Sequence, residues 1–221
     1  MRFQIHAETL GKNIQSISNI VEKRQTSPIL GYLLLQTHDK QLVVTGTDLE
    51  LEILMRLDLT ECENGSFTVP AKKFADLCRS IPGHELIEFY VQQQFARIKT
   101  PSSRFALTTL PVEGFPSLQT EQFENHYRMS LVQLKELLER SQFAMAVQDV
   151  RAFLNGMLLE FEQDSLRAVA TDAHRLALCA KPIERLAGNA EKKQIILPRK
   201  GVTELIRLLD SVDCQVEIGF N

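Results

Sequence analysis

Leu30-Gly31-Tyr32-Leu33-Leu34-Leu35, followed by Asp39, Leu42 and Thr47-Asp48-Leu49-Glu50, decides how this chain is built, because the chain says it twice. Leu154-Asn155-Gly156-Met157-Leu158-Leu159-Glu160 is followed in the same way by Asp164, Leu166 and Thr171-Asp172-Ala173-His174. Thr47 and Thr171 are 124 positions apart, Gly31 and Gly156 are 125 apart, and Pro70 and Pro198 are 128 apart. An offset held across such different landmarks marks a duplicated structural unit.

Working outward, Phe3-Gln4-Ile5 with Leu10, Ile14 and Ile17 aligns with Tyr127-Arg128-Met129, Leu134, Leu138 and Ser141. Val69-Pro70-Ala71-Lys72-Lys73-Phe74 with Leu77 aligns with Leu197-Pro198-Arg199-Lys200-Gly201-Val202 and Leu205. Glu88-Phe89-Tyr90-Val91 aligns with Val216-Glu217-Ile218-Gly219, after which copy one runs on through Arg97 and Arg104-Phe105-Ala106-Leu107 without a counterpart. The expected organisation is one domain over 1–121 and a second over 122–221 that is incomplete at its C-terminal strands.

Within each copy the pattern predicts a short strand, a helix, a hairpin, a further strand, a second helix and closing strands. Leu10, Ile14, Ile17 and Val21 fall at helical spacing. Ser130 is placed to cap the helix carrying Leu131, Leu134 and Leu138. Tyr32–Thr37 with Gln41–Thr45, and Met157–Phe161 with Ser165–Ala170, read as hairpins about acidic turns. Pro70 and Pro198 suit the first turn of helices that bury Phe74, Leu77, Cys78 and Ile81, or Val202, Leu205, Ile206 and Leu209. The fold class is α+β: an antiparallel sheet with two helices on one face, present in tandem.

The chain has 221 residues with 25 Lys or Arg against 28 Asp or Glu, a net charge of −3. That balance is unlike a generally basic nucleic-acid binder, but its distribution is uneven. The helical segments 8–24, 72–81, 131–140 and 199–209 carry eleven basic and six acidic residues, leaving fourteen basic and twenty-two acidic elsewhere. Helix faces are therefore expected to be positive, and strand surfaces bearing Glu50, Glu52, Glu160 and Glu162 negative. No apolar run reaches the roughly 18 residues of a membrane span. Cys62, Cys78, Cys179 and Cys214 are scattered without a Cys-x-x-Cys pair, so a disulfide framework or zinc site is not indicated. Asn64-Gly65 reads as a turn.

Thr171-Asp172-Ala173-His174-Arg175-Leu176 presents an Asp–His pair, yet nothing in the chain resembles an activated nucleophile beside it. Copy one keeps Thr47-Asp48 and lacks the His and Arg, so the shared pair reads as an Asx-type turn and the differing residues as the place for a specialised binding role. The five histidines show neither His-x-x-x-His nor Glu-x-x-His spacing. The reading is a binding protein with no catalytic residue, metal or cofactor.

Pro28-Ile29-Leu30-Gly31, Gly46-Thr47-Asp48-Leu49-Glu50, Val69-Pro70-Ala71-Lys72-Lys73-Phe74 and Thr108-Thr109-Leu110-Pro111 resemble the bacterial DNA sliding-clamp family, the beta subunits of DNA polymerase III. Gln148-Asp149-Val150-Arg151, Leu154-Asn155-Gly156-Met157-Leu158, Ala170-Thr171-Asp172, His174-Arg175-Leu176-Ala177 and Leu197-Pro198-Arg199-Lys200-Gly201-Val202 extend the resemblance in the family's order. The resemblance implies a processivity factor whose three domains per subunit close, as a head-to-tail homodimer, into a ring around duplex DNA. Helices would line the hole and sheets the outside; this chain would supply domain one and most of domain two. Partners would be double-stranded DNA, without sequence preference, and the replicative polymerase and clamp loader through short peptide motifs. The setting would be the cytoplasm, at the nucleoid.

By the same resemblance, Arg24, Lys72 and Gln148 fall at DNA-contacting positions, and Phe153 is left to stack on bases where relatives often carry two aromatics. Leu154, Thr171, His174, Arg175 and Leu176 would contribute to the partner-peptide pocket, with Ala173 standing where a glycine is common. Most of the pocket's opposite wall would lie beyond Asn221, so weak or no peptide binding is expected of this chain. Lys73, Arg104, Phe105 and Leu107 would serve the dimer interface, the edge strand being Arg104–Thr108. The alternative is a short clamp-derived adaptor that binds a partner without encircling DNA.

Overall fold

The computed structural model describes residues 1–21, 27–116, 122–188, 191–209 and 214–221. The chain divides into two compact units, Met1–Gln119 and Thr120–Asn221.

In the first unit, β1 (Arg2–His6) leads into α1 (Ala7–Ser18), and a 3₁₀ turn at Pro28–Gly31 opens the hairpin β2 (Tyr32–His38) and β3 (Gln41–Thr47). There follow β4 (Glu52–Asp58), the short β5 (Cys62–Glu63), β6 (Gly65–Pro70), α2 (Ala71–Ser80), β7 (Leu86–Gln92), β8 (Phe95–Lys99) and β9 (Arg104–Thr108). The second unit repeats the order with β10 (Asn125–Ser130), α3 (Leu131–Gln142), β11 (Gly156–Phe161), β12 (Ser165–Thr171), β13 (Leu176–Pro182), β14 (Glu184–Ala187), β15 (Lys193–Pro198), α4 (Arg199–Leu208) and β16 (Gln215–Phe220).

The antiparallel α+β repeat with two helices per unit is present, and its strands are divided between two sheets in each unit. The first unit pairs β4-β3-β2-β6 in one sheet and β5-β1-β7-β8-β9 in the other. The second pairs β13-β12-β11-β15 and β14-β10-β16. Strand alternation fixes the inner faces: in β1 and β7, Phe3, Ile5, Ile87 and Phe89 are buried and their neighbours are not, so one face of each strand joins the core. Phe3 stacks on Phe89 at 4.7 Å between centroids, and Phe74 of α2 meets Phe89 edge-on at 5.8 Å. The second core is built likewise, around Tyr127, Phe161 and Phe220.

Three local expectations are corrected. Pro70 and Pro198 are the last residues of their strands and sit one position before the helix, at N-cap, because their fixed φ serves the turn into it equally well. Ser130 occupies the N-cap position of α3 but its hydroxyl makes no capping bond, and the Leu131 N–H donates instead to the Cys214 carbonyl at 2.9 Å. In α4, Val202 and Leu209 are buried while Leu205 and Ile206 are only partly so, and Glu204 is buried beside its ion-pair partner Arg207.

Candidate functional site

The repeated Thr-Asp pair builds the same turn twice, bond for bond. Asp48 Oδ1 accepts from the Glu50 and Leu51 N–H groups at 3.0 and 2.7 Å, while Thr47 Oγ1 donates to the Leu51 carbonyl and accepts from Leu49 N–H. Asp172 Oδ1 accepts from the His174 and Arg175 N–H groups at 3.0 and 2.9 Å, while Thr171 Oγ1 donates to the Arg175 carbonyl at 2.7 Å and accepts from Ala173 N–H. This is an Asx turn reinforced by a threonine, as the sequence predicts. The third residue is held in the left-handed region in both copies, with φ of +80° at Leu49 and +73° at Ala173.

The two copies differ in what the turn carries. His174, Arg175 and Leu176 follow one another on the exposed surface at the start of β13, and Leu176 is 64% exposed although apolar. Asp172 also binds Arg175 through its second oxygen, Nε to Oδ2 at 2.9 Å. Backbone donation from Arg175 and His174, with that charge, holds the Asp172 carboxyl below its ordinary pKa. The Thr171 proton is committed to the turn, so Thr171 shapes the site from beneath. Leu154, by contrast, is only 6% exposed; it lies within a 3₁₀ turn over Ala152–Asn155, and its carbonyl accepts from the Ala146 N–H.

That 3₁₀ turn closes a tight loop. Asp149 accepts from Arg151 through both carboxylate oxygens and from the Arg151 N–H, and Asn155 brackets it by accepting from the Asp149 N–H and donating to the Asp149 carbonyl. Side-chain and backbone donation from Arg151 pull the Asp149 carboxyl down to about 2. The clasp presents Gln148, exposed at φ +58°, together with the exposed Val150 and Phe153. Gln148 and Phe153 thus lie on one loop, while Lys72 is exposed in the first turn of α2 in the other unit; Arg24 lies outside the described residues.

With the observed helix bounds, α1 to α4 hold nine basic and five acidic residues, and the rest of the chain sixteen and twenty-three. The segregation survives, with two exceptions on the sheets. Glu160, expected on an exposed acidic surface, is buried; Lys192 and Gln194 hydrogen-bond it and Arg167 flanks it, which lowers its pKa. The outward face of β1-β7-β8-β9 carries Arg2, Arg97, Lys99 and Arg104 against Glu88, which pairs with Arg2 and with Lys99. Composition could not show this, since the charges come from four separate strands that only the register brings together.

On β9, the last strand of its sheet, Leu107 is buried and Phe105 half-buried while Arg104 and Ala106 face out; Lys73 is exposed on α2. Among the described residues, no group of three His, Cys, Asp or Glu side chains is placed to hold a metal, and no helix is long and apolar enough to cross a membrane.

A sequence model of the DNA polymerase III beta subunit N-terminal domain matches residues 1–119, and one of the same subunit's central domain matches 128–221. The chain is 45% identical to the Beta sliding clamp of Pseudomonas putida over 221 residues, covering 99% of this chain and 59% of the relative. It is also 45% identical to the Beta sliding clamp of Escherichia coli K12 over 224 residues, covering 60% of that protein. The crystal structure of a DnaN sliding clamp from Pseudomonas aeruginosa bound to griselimycin superposes with a TM-score of 0.93 at 43% identity, covering all of this chain and 59% of that one. A sliding clamp from Caulobacter crescentus superposes at 0.90 with 29% identity. The chain spans about three-fifths of the length of these relatives. With both matched domains in order along its length, it belongs to the DNA polymerase III beta subunit family.

Proposed function

We propose that this chain is the DNA-encircling part of a sliding clamp, a non-catalytic accessory subunit that keeps the replicative polymerase on its template. The observation that carries the reading is the 45% identity to proteins named Beta sliding clamp across the whole chain. The polarised charge supports it: a ring holds DNA by topology, so it needs only weak, sequence-independent attraction to phosphates, which basic helix faces supply. In this reading Lys72 and Arg24 attract the duplex. Gln148 and Phe153 ride on the Asp149–Arg151 clasp, Phe153 stacking on unpaired bases.

The polymerase and the clamp loader dock through short apolar-ended peptides on the exposed His174, Arg175 and Leu176, with Thr171 and the buried Leu154 supporting the pocket from beneath. A second subunit closes the ring along β9, where the half-buried Phe105, backed by the buried Leu107, gives apolar contact, and Arg104 and Lys73 meet acidic groups of the incoming edge. The cation-rich outer face of that sheet suits such a partner. The protein works in the cytoplasm, at the nucleoid.

The test is duplex binding as a function of salt. A Lys72→Ala variant is expected to lower the slope of log affinity against log salt by about 0.9, equally on unrelated sequences. Base-sequence preference, or a slope unchanged by the substitution, would contradict the proposal.

A further inference from the structure

Phe143 is the residue just past α3, in helical conformation, and 56% of it is exposed although it is a large apolar side chain. The Arg175 guanidinium carbon lies 5.5 Å from the centre of its ring, within the range of a cation–π contact. Arg175 is thus held twice: its Nε by Asp172 and its guanidinium by the ring of Phe143. Among the described residues the two Nη groups make no hydrogen bond, and more than half of the side chain faces solvent.

The duplication supplies an internal control. At the 124-residue offset, Thr171 corresponds to Thr47 and Asp172 to Asp48, and their turns are the same. Arg175 corresponds to Leu51, and Phe143, the residue after α3, corresponds to Asn19, the residue after α1. The turn serves both copies; the ring and the cation occur together only in the second. A ring kept in water beside a surface arginine has no core to serve.

We propose that Phe143 is a positioning residue of the peptide pocket, holding Arg175 so that its two free Nη donors meet a carboxylate on the incoming peptide. A guanidinium fixed at Nε presents its outer N–H pair in the fork that carboxylates accept side by side. Without the ring, the arginine keeps its charge but spreads over more rotamers, and the carboxylate must order it on binding. This inference rests on the pocket reading above.

The experiment uses isotope-labelled chain with Phe143→Leu, Phe143→Tyr and Arg175→Ala variants. The probes are the acetylated tripeptide amides Asp-Leu-Phe and Asn-Leu-Phe, followed by NMR, which reads affinities as weak as about 1 mM. Ring current from Phe143 is expected to displace the Arg175 Nε–Hε signal, an effect lost with leucine and kept with tyrosine. The Asp peptide is expected to bind about two- to five-fold more weakly to the leucine variant, the worth of an exposed cation–π contact. Its affinity for the tyrosine variant, and the Asn peptide's affinity for both, should not change. An Arg175 signal indifferent to leucine, or equal losses with leucine and tyrosine or with both peptides, would overturn the proposal. Should the unaltered chain ignore both peptides, as a pocket lacking its opposite wall would, the Arg175 signal alone decides whether Phe143 positions it, and an Arg175 signal unmoved by leucine overturns the proposal.

Discussion

Ala173 offers a quantitative test of the repeated turn. Its φ of +73° is a conformation in which an L side chain crowds the following carbonyl, at a cost of roughly 1–2 kcal/mol, and from which glycine is exempt. Ala173→Gly removes that strain but loosens the unfolded chain, which costs about 0.4–1 kcal/mol. The net expectation is stabilisation of the second unit by about 0.5–1 kcal/mol, because Ala173 is exposed and its methyl group fills no core. For a unit of this size that is a rise of about 2–8 °C in Tm, readable by calorimetry on the chain and its variant. The turn bonds of Asp172 and Thr171 run to backbone atoms and survive the change. A Tm that stays level or falls would mean that the strain is absent or that the methyl group does something the geometry does not reveal.

Other outcomes follow from the same geometry. Gly156→Ala should destabilise the second unit by about 1–3 kcal/mol, since a Cβ there would lie 2.8 Å from the Leu197 carbonyl oxygen and from Ile196 Cγ2; at Gly31 nothing lies within 4 Å, and Gly31→Ala should cost little. Asp149 should titrate with a midpoint of about 2, and Arg151→Ala should return it towards 3.8. Its folded value is the lowered one, so what it adds to stability is present above 3.8 and lost as the pH falls towards 2. Burial pushes the Cys78 thiol up to about 12, whereas Cys214 is exposed; at pH 8 a thiol reagent should label Cys214 at once and Cys78 only on unfolding.

The duplication was legible because its landmarks are residues whose backbone roles are local. Thr-Asp at a turn and proline before a helix each constrain conformation within a few positions, so both copies retain them. The helices and hairpins followed from periodicity for the same reason. The division of each unit into two sheets was not legible, because it depends on which strands pair across long stretches of chain, as β1 does with β7. The outer cation face of the first unit was hidden for that cause, its four charges being spread over β1, β8 and β9. Phe143 was missed because a lone aromatic after a helix reads as core, and only the fold brings it to Arg175, 32 positions on. Glu160 was misplaced because alternation along β11 is interrupted, with Leu159, Glu160 and Phe161 all buried.

The most direct test of the account is retention of the native protein on DNA of different topology. Protein loaded onto nicked circular duplex by its own cell's loader with ATP should persist through a chase at about 0.3 M salt, where electrostatic contacts alone are weak. One restriction cut should then release it within minutes, because a ring slides off an end. Equal retention before and after the cut, or immediate loss from the intact circle, would contradict the claim that this protein holds DNA by encircling it.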